Sequence, residues 1–571
     1  MELKLKNYRE VLDNTIKNHG DNIAYKYKED KTAKEPKYIT KTYKTFGQDI
    51  KKMGTALLDL GLEGKNISVI SDNRYEWCTT YLAVTTSNMT IVPLDKALPE
   101  NEIESLILRS KAEAVVFEKK YEEIFLRIKA NSDSHLKYLI CMDETENKKE
   151  IITFEQILEM GNELLNAGDK KYDKLEIAED KISIMLFTSG TTNAPKAVML
   201  TQGNICADLD GVEKYIKVND KDIFLSFLPL HHTFECTATF LLSIYTGATV
   251  AFADGLKHIS KNLEEYGATV LITVPLILES TYKRLHKLLE ENGKKDIVER
   301  LDRISREEEP VDTTIKDSIT EEVSKLLGSK LRLVVYGAAP MNKDTILGYK
   351  NLRIDLSQGY GLTETSPVVS VETATEKKPG SIGKPLYNVQ VKIKDVDKDG
   401  IGEITVKGPN VMKGYYENEE ATNKVLTKDG WFSTGDYGYI DEDGFLFITG
   451  RKSDVIVLKN GKNVYPQELE FLINKISYID ESIVFSRDKD KTDTTLCAKI
   501  VYNKDLIKEF LGEKTEEEYK EEIWKKIKEI NVSLPIYKHI KEITITSEPL
   551  NKTTTHKIKR YQEIKKMEKN D

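Results

Sequence analysis

The chain has 571 residues, 39% of them apolar and 31% charged, with a net charge of −9 and an isoelectric point near 5.7. That length exceeds what one hydrophobic core serves, so two or more domains are expected, and the composition is that of a folded globular protein. An acidic balance offers nothing to a nucleic-acid polyanion; five scattered cysteines without a C-x-x-C pair argue for core thiols in a reducing compartment rather than disulfides or a metal site; and the longest apolar run, Ala268 to Leu278, is too short to span a bilayer and contains Pro275.

The first residues, MELKLKNYREVLDNTIK, alternate in charge and lack an apolar core, so no secretory signal is expected. Phe46, Ile50, Met53, Leu57 and Leu60 recur at helical spacing, and Gly61 follows as a stop. Ile67 to Ile70 reads as a strand, the stretch around Trp77 and Tyr81 as a helix, Val92-Pro93 as the end of another strand and Leu136 to Cys141 as one more. Strands alternating with helices predict a parallel, doubly wound sheet. Ile182 to Phe187 is an apolar, β-competent run that empties into T-S-G-T-T-N-A-P-K, residues 188–196. Hydroxyls and free backbone N–H groups suit phosphate oxygens, with Lys196 as the point charge. The spacing is not that of a Walker loop, and a plain polar connection is the alternative reading. From roughly 284 to 328 the chain is rich in Lys, Glu and Arg, which predicts a charged helical insertion on the solvated surface.

Leu331 to Tyr336 leads into Gly337-Ala338-Ala339-Pro340, and Ile354 to Leu356 leads into S-Q-G-Y-G-L-T-E, residues 357–364. Both read as small-residue loops at strand ends, where ligand sites of α/β sheets lie. From about 380 to 450 short alternating runs are punctuated by D-K-D-G (397–400), K-D-G (428–430) and D-E-D-G (441–444), which predict hairpins and a small β subdomain. After G-R-K-S-D (450–454) the texture changes again. Val455 to Leu458, Ser482 to Phe485 and Cys497 to Tyr502 read as strands and Gln467 to Ile476 as a helix. A second helix opens on the capping box Thr515-x-x-Glu518 with Ile523, Ile527 and Ile530 on one face. A domain boundary is expected near 451–453.

The order of motifs carries more than any one of them. After the phosphate loop come P-L-H-H-T-F-E (229–235), Y-G-A-A-P (336–340), Q-G-Y-G-L-T-E-T (358–365), S-T-G-D (433–436), G-R-K-S-D-V-I (450–456) and N-K-T-T-T-H-K-I-K-R (551–560). In this order the chain resembles the adenylate-forming (AMP-binding) superfamily of acyl-CoA synthetases, peptide adenylation domains and luciferases. The resemblance runs from about Asn7 to Arg560, and within the superfamily the chain is most similar to the long-chain fatty acyl-CoA synthetases. It implies an α/β fold: a large N-terminal domain of doubly wound sheets (residues 1–451, with a β subdomain at about 370–450), then a small mobile α+β C-terminal domain (452–571). It implies ATP and Mg²⁺ as cofactors and CoA as acyl acceptor. The implied reaction activates a carboxylic acid, a medium- or long-chain fatty acid, to an acyl-adenylate with release of pyrophosphate, then transfers the acyl group to CoA with release of AMP. Such a reaction needs in-line attack of a carboxylate oxygen on the α-phosphate, so the protein must neutralise growing charge and hold both reactants in place.

Carried over by position, Thr188, Ser189, Gly190, Thr191, Thr192 and Lys196 would hold phosphates. Glu364 would be the Mg²⁺ ligand, a hard oxygen donor, with Thr188 and Thr363 adding hydroxyls. Gly337, Ala338, Ala339, Tyr360 and Gly361 would shape the adenine pocket, Tyr360 stacking on the base. Asp436 would accept from both ribose hydroxyls, and Arg451 would reach ribose or phosphate. His232 matches the histidine at the carboxylate entrance. Lys557 matches the catalytic lysine that bridges carboxylate and α-phosphate oxygens and then withdraws. Ser453 holds the hinge position and Gly461 the mouth of the channel for the pantetheine thiol. Each has an ordinary alternative: turn residues for Thr188, Thr363 and Asp436, a bland turn and core Tyr for the adenine pocket, a helix-start carboxylate for Glu364, a surface ion pair for Arg451, a hydrogen-bonded strand-end imidazole for His232, and a solvated basic tail for Lys552, Lys557, Lys559 and Arg560.

Four departures from the family pattern bear on rate and domain swing rather than on reaction type. Asn193 and Ala197 stand where glycines are usual; Asn tolerates positive φ, and Ala197 is harmless only at negative φ. His556 replaces the glycine before the catalytic lysine, and Ser453 stands where Asp or Lys is usual. Transfer to an acyl carrier protein is the nearest rival function. Amino-acid activation is disfavoured, because Glu235 is the only carboxylate between Phe224 and Ala253 and that subgroup uses an Asp there. A non-catalytic acyl-binding protein is a third reading, and the complete set of Thr188, Lys196, Glu364, Asp436, Arg451 and Lys557 counts against it. A cytoplasmic location without nucleic-acid partner or transmembrane segment is expected, with peripheral membrane contact left open.

Overall fold

The computed structural model describes every residue except 1–3, 147–148, 189–194, 306–308, 310–314, 316–317, 340, 342, 350–351, 353, 459–461, 491–492, 553–557 and 570–571. The chain divides into two compact units. One comprises Met1–Thr188, Pro195–Val391 and Val406–Phe432; the other includes Lys392–Thr405 and Ser433–Asp571.

The first unit is built on two sheets. One has eight strands in the spatial order Gly414–Tyr415, Lys196–Thr201, Ile182–Thr188, Thr90–Pro93, Asn66–Ile70, Ala112–Phe117, Tyr138–Cys141 and Ile151–Thr153. From Thr90–Pro93 to Ile151–Thr153 all pairings are parallel, and helices such as Tyr75–Thr85 and Glu100–Ser110 make the crossovers. The central strands are buried apolar runs because helices cover both faces of such a sheet. Helix Tyr43–Asp59 starts where Thr42 accepts from the Thr45 amide, buries Phe46, Ile50, Met53 and Leu57, and stops before Gly61 at φ +74°. The other sheet has nine strands, in the order Lys384–Pro385, Val368–Val371, Asp355–Gly361, Leu333–Tyr336, Val270–Thr273, Ile223–Ser226, Thr249–Phe252, Ile23–Lys28 and Tyr38–Thr42. The doubly wound α/β class expected from alternating strands and helices is the one that forms.

Two expectations are corrected. The Lys- and Glu-rich stretch forms helices Pro275–Glu291, Lys295–Ser305 and Thr320–Leu327, but it is not merely a solvated appendage. Leu285, Leu289, Val298, Leu301 and Leu326 join the same buried cluster as Leu271 and Val334. Apolar residues recurring every three to four positions, not the charged majority, decide which face a helix buries. Even Glu322 is buried, where it accepts from Lys294 Nζ at 2.9 Å. The second correction concerns Ser357 to Gly361, read as a loop. They continue strand Asp355–Gly361, because Val368–Val371 returns antiparallel and pairs Tyr360 with Ser370 and Gly359 with Val371.

In the second unit Gln390–Lys394, Gly402–Lys407, Phe432–Ile440 and Leu446–Arg451 form a four-stranded sheet, the first three strands continuing across the division. Its D-K-D-G and D-E-D-G turns place Gly400 and Gly444 at φ +81° and +84°, where only glycine is unstrained. Beyond it, strands Ile479–Asp490, Asp493–Tyr502 and Glu542–Thr546 make a three-stranded sheet. Helices Pro466–Ile473 and Glu516–Val532 pack there through Leu469, Ile473, Ile523 and Ile527. Thr515 caps the longer helix with the reciprocal Glu518 bonds that the capping box calls for. All five cysteines are free and buried. No helix among the described residues is long and apolar enough to cross a membrane.

Candidate functional site

Strands Ile182–Thr188 and Lys196–Thr201 form a hairpin whose last pair, at the connecting end, is Thr188 with Lys196. Thr188 Oγ1 lies 3.4 Å from the Lys196 carbonyl oxygen. Ser189, Gly190, Thr191, Thr192 and Asn193 fall outside the described residues. Ala197 sits within the second strand opposite Phe187 and is not among the residues with positive φ, so replacing the usual glycine carries no backbone cost. Arg109 closes this end of the hairpin: Nη2 donates to the Pro195 carbonyl at 2.6 Å, and the guanidinium stands 5.3 Å from the Phe187 ring centroid.

The ammonium of Lys196 lies 4.9 Å from the ring centroid of Tyr415, within cation–π range. The phenol of Tyr415 donates to Glu364 Oε1 at 2.9 Å. Strand Gly414–Tyr415 pairs with Lys196–Thr201, so Tyr415 is held beside the lysine by the sheet itself. Glu364 lies on a 3₁₀ turn, Thr363–Thr365, whose carbonyl at 364 accepts from the Met412 amide at 2.9 Å. The backbone doubles back so tightly around this turn that a Cβ on Gly361 would sit 1.6 Å from the Pro367 carbonyl oxygen, so only glycine fits. Lys196, Tyr415 and Glu364 thus form one chain of contacts, cation, phenol and carboxylate, with Thr188 paired to the backbone of Lys196.

The adenine-pocket candidates gather at neighbouring strand ends. Strand Leu333–Tyr336 delivers Gly337, whose amide donates to the Thr273 carbonyl at 3.3 Å; an added Cβ there would lie 2.9 Å from the Gly359 oxygen. Ala338 has φ +69°, a left-handed alanine of the kind concentrated at ligand sites, and Ala338 and Ala339 are exposed. Tyr360, Gly361 and Thr363 are half-buried at the end of the adjacent strand.

His232 follows strand Ile223–Ser226. Its ring centroid lies 4.1 Å from that of His231, and His231 Nε2 is 3.6 Å from Asp95 Oδ2. Burial, with His232 and Lys96 beside it, pushes His231 well below the ordinary imidazole range, so it is neutral at pH 7. Cys236–Leu241 winds as a π-helix, and Tyr81, Leu186, Leu230, His231, Cys236 and Thr237 line a small apolar pocket with room for about one water molecule. Glu235 is fully buried and accepts from Ser226 Oγ at 2.6 Å and Thr239 Oγ1 at 3.1 Å; burial pushes its carboxyl up to about 8.

In the second unit, Asp436 and Arg451 face each other across strands Phe432–Ile440 and Leu446–Arg451, with Arg451 Nε 3.0 Å from Asp436 Oδ1. Arg451 Nη1 also donates to the Thr434 carbonyl at 3.2 Å. Ser453 is exposed on a 3₁₀ turn between two anchored neighbours: Lys452 Nζ lies 2.7 Å from Glu403, and Asp454 accepts from Gln467 Nε2 at 2.6 Å. Gly461, His556 and Lys557 lie outside the described residues. Of the basic residues near them, Lys552 pairs with Glu481 and Arg560 Nη1 pairs with Glu470 at 2.7 Å, so neither belongs to a solvated tail.

No group of three or more His, Cys, Asp or Glu suited to a metal occurs among the described residues. A single carboxylate such as Glu364 is nonetheless the kind of donor Mg²⁺ uses when it is bound mainly by substrate phosphates and water. Sequence reasoning missed Tyr415, Arg109 and Asn73. Asn73 alone had a local signal, its place in the loop after strand Asn66–Ile70, where α/β ligand loops lie.

The AMP-binding enzyme family matches residues 12–416, and the AMP-binding enzyme C-terminal domain matches residues 453–570. Long chain acyl-CoA synthetase 3 of Arabidopsis thaliana is 29% identical over 493 residues, covering 79% of this chain and 72% of that protein. Long-chain-fatty-acid–CoA ligase 6 of Mus musculus is 30% identical over 468 residues, 76% of this chain and 66% of its own. A chloroplastic long-chain-fatty-acid–acyl-carrier-protein ligase of Arabidopsis thaliana is 26% identical over 561 residues, 85% and 76% of the two chains. In fold, the chain is similar to a crystal structure of an anthranilate CoA ligase in complex with anthranoyl-AMP, with a TM-score of 0.76 at 18% identity, over 100% of this chain and 98% of that one.

Proposed function

Because the chain belongs to the AMP-binding enzyme family, we propose that it activates a fatty acid with ATP and passes the acyl group to the thiol of CoA. In the first step a carboxylate oxygen attacks the α-phosphorus and the bond to pyrophosphate breaks. In the second the CoA sulfur attacks the acyl carbon, the thiol proton leaves, and AMP departs. The observation that carries this reading is the contact chain Lys196–Tyr415–Glu364 beside Thr188.

Lys196 is placed to neutralise phosphate oxygens, and Tyr415 keeps both the lysine and Glu364 in place without adding charge. Glu364 and Thr188 would hold Mg²⁺, which when bound neutralises charge on the phosphates. The ribose falls to Asp436 and Arg451, the base to Gly337, Ala338, Ala339, Tyr360 and Gly361, and the phosphates to residues 188–192 with Thr363. His232 meets the carboxylate of the acid. Lys557 supplies the cation between carboxylate and α-phosphate. Ser453 serves as the pivot between an adenylating part at 1–451 and a mobile domain at 452–571, with Gly461 at the thiol channel. Five free, buried thiols support a cytoplasmic setting.

Pyrophosphate release across a panel of carboxylic acids, with CoA, with an acyl carrier protein and with neither, tests the proposal. Release that needs a fatty acid, and thioester formed with CoA, is expected. Thioester formed only on the carrier protein would favour the rival acceptor, and no acid-dependent release would end the adenylation reading.

A further inference from the structure

The segment that presents His231 and His232 runs from strand Ile223–Ser226 to the short helix Thr233–Glu235, with no regular structure of its own. Its backbone is held from the other sheet of the same unit. Asn73 stands between strand Asn66–Ile70 and helix Tyr75–Thr85. Its Nδ2 donates to Ser226 Oγ at 2.9 Å and to the Leu228 carbonyl at 2.7 Å, and its Oδ1 accepts from the Leu230 amide at 3.2 Å. Three of the four bonds open to a carboxamide are therefore spent on three alternate residues, Ser226, Leu228 and Leu230. Ser226 in turn donates to Glu235 at 2.6 Å, so the segment is gripped before and after the histidine pair. The neighbouring Arg74 fixes the Asn73 loop by pairing with Glu76 at 2.6 Å and Asp143 at 2.7 Å.

We propose that Asn73 is a positioning residue for the acid site: its clamp on Ser226, Leu228 and Leu230 sets where His231 and His232 stand, and so governs affinity for the substrate carboxylate. The proposal rests on the reading that His232 meets that carboxylate. A carboxamide fits the task because it must donate to a hydroxyl and a carbonyl while accepting from an amide. Asp keeps the acceptor and loses both donors, and Ala loses all three bonds. A clamp that only joins the two sheets would weaken the protein without favouring one substrate over another.

The test uses the full chain and pyrophosphate release with octanoate and with palmitate, varying acid and ATP separately, for Asn73→Ala, Asn73→Asp, His232→Ala and the Asn73→Ala/His232→Ala double variant. Asn73→Ala is expected to raise KM for the acid about tenfold, the loss that goes with about one buried hydrogen bond, and to leave KM for ATP within about twofold. Asn73→Asp should shift the same way, and it carries the test if the alanine variant fails to fold. The double variant should be no worse for the acid than His232→Ala alone. Equal rises in both KM values, an unchanged acid KM, or losses that multiply in the double variant would overturn the proposal. Should His232→Ala itself leave the acid KM unchanged, the assignment of His232 falls and takes this proposal with it. A His232 effect without an Asn73 effect removes the proposal alone.

Discussion

Tyr415→Phe removes one oxygen and tests whether Glu364 is aimed by its neighbour. The phenol donates to Glu364 Oε1 at 2.9 Å, and Tyr415 is only 6% exposed. A hydrogen bond to a charged group contributes about 1.5–3 kcal/mol. Glu364 is half-buried, so water compensates part of the loss and the lower half of that range applies. The ring survives the substitution, so the contact with Lys196 at 4.9 Å survives too. The expected result is a fall of about 10- to 40-fold in kcat/KM for ATP at saturating acid, by the factor of about ten that each 1.4 kcal/mol carries. The assay is pyrophosphate release with ATP and Mg²⁺ varied independently, and raising Mg²⁺ should recover part of the loss. Tyr415→Leu, which also removes the ring from beside Lys196, should cost about a further 0.5–1 kcal/mol. A Tyr415→Phe enzyme within twofold of the parent at every Mg²⁺ concentration would refute the idea that this phenol orients the carboxylate.

Four further outcomes are expected. Asp436→Ala should weaken ATP binding by about 1.5–3 kcal/mol in calorimetry; because Asp436 also holds Arg451 at 3.0 Å, the loss should be less than additive with Arg451→Ala. Lys557→Ala should abolish acid-dependent adenylation while ATP binding persists, and wild-type adenylation would remove the assignment. Ser453→Pro, with φ fixed near about −65°, should spare ATP–pyrophosphate exchange and depress thioester formation; equal loss of both with an intact melting transition would mean residue 453 is not the pivot. For Glu235, burial raises the folded-state carboxyl to about 8, so the folded protein keeps a proton that the unfolded chain releases at ordinary carboxylate pH. Stability from this group is therefore full at low pH and is lost as pH rises towards about 8. Glu235→Gln should gain Tm relative to the parent between pH 5 and pH 8, and parallel curves would contradict the shift.

Much of the fold was readable because its signals are local. The spacing of Phe46, Ile50, Met53 and Leu57, the stop at Gly61 and the capping box at Thr515 each act within one or two turns of chain, and each appears where the pattern puts it. The stretch after 284 misled for a physical reason: charge dominates its composition, yet Leu285, Leu289, Val298 and Leu301 are spaced to fill one face. Composition reports the solvent side of an amphipathic helix, and period reports the buried side. The segment 357–361 misled differently. Its small residues look like a loop until strand Val368–Val371 pairs with them from outside the window.

The site divides along the same line. Motif residues such as Lys196, Glu364 and Arg451 stand at strand ends or in the turns beside them, and Asp436 within a strand; the order of the motifs and the family resemblance singled them out. The residues that hold them were not. Tyr415 reaches Glu364 from 51 positions away, and Asn73 reaches the Leu228 carbonyl from 155 positions away. Neither bond leaves a trace in local spacing, because a polar side chain bridging distant segments obeys no period. Such holders nevertheless have a common requirement. Each must satisfy donors and acceptors on a segment that cannot satisfy its own. That requirement makes substitution asymmetric: Asn73→Asp, which preserves shape but not donors, should harm the acid site nearly as much as Asn73→Ala, whereas a residue that merely filled space would tolerate the isosteric change.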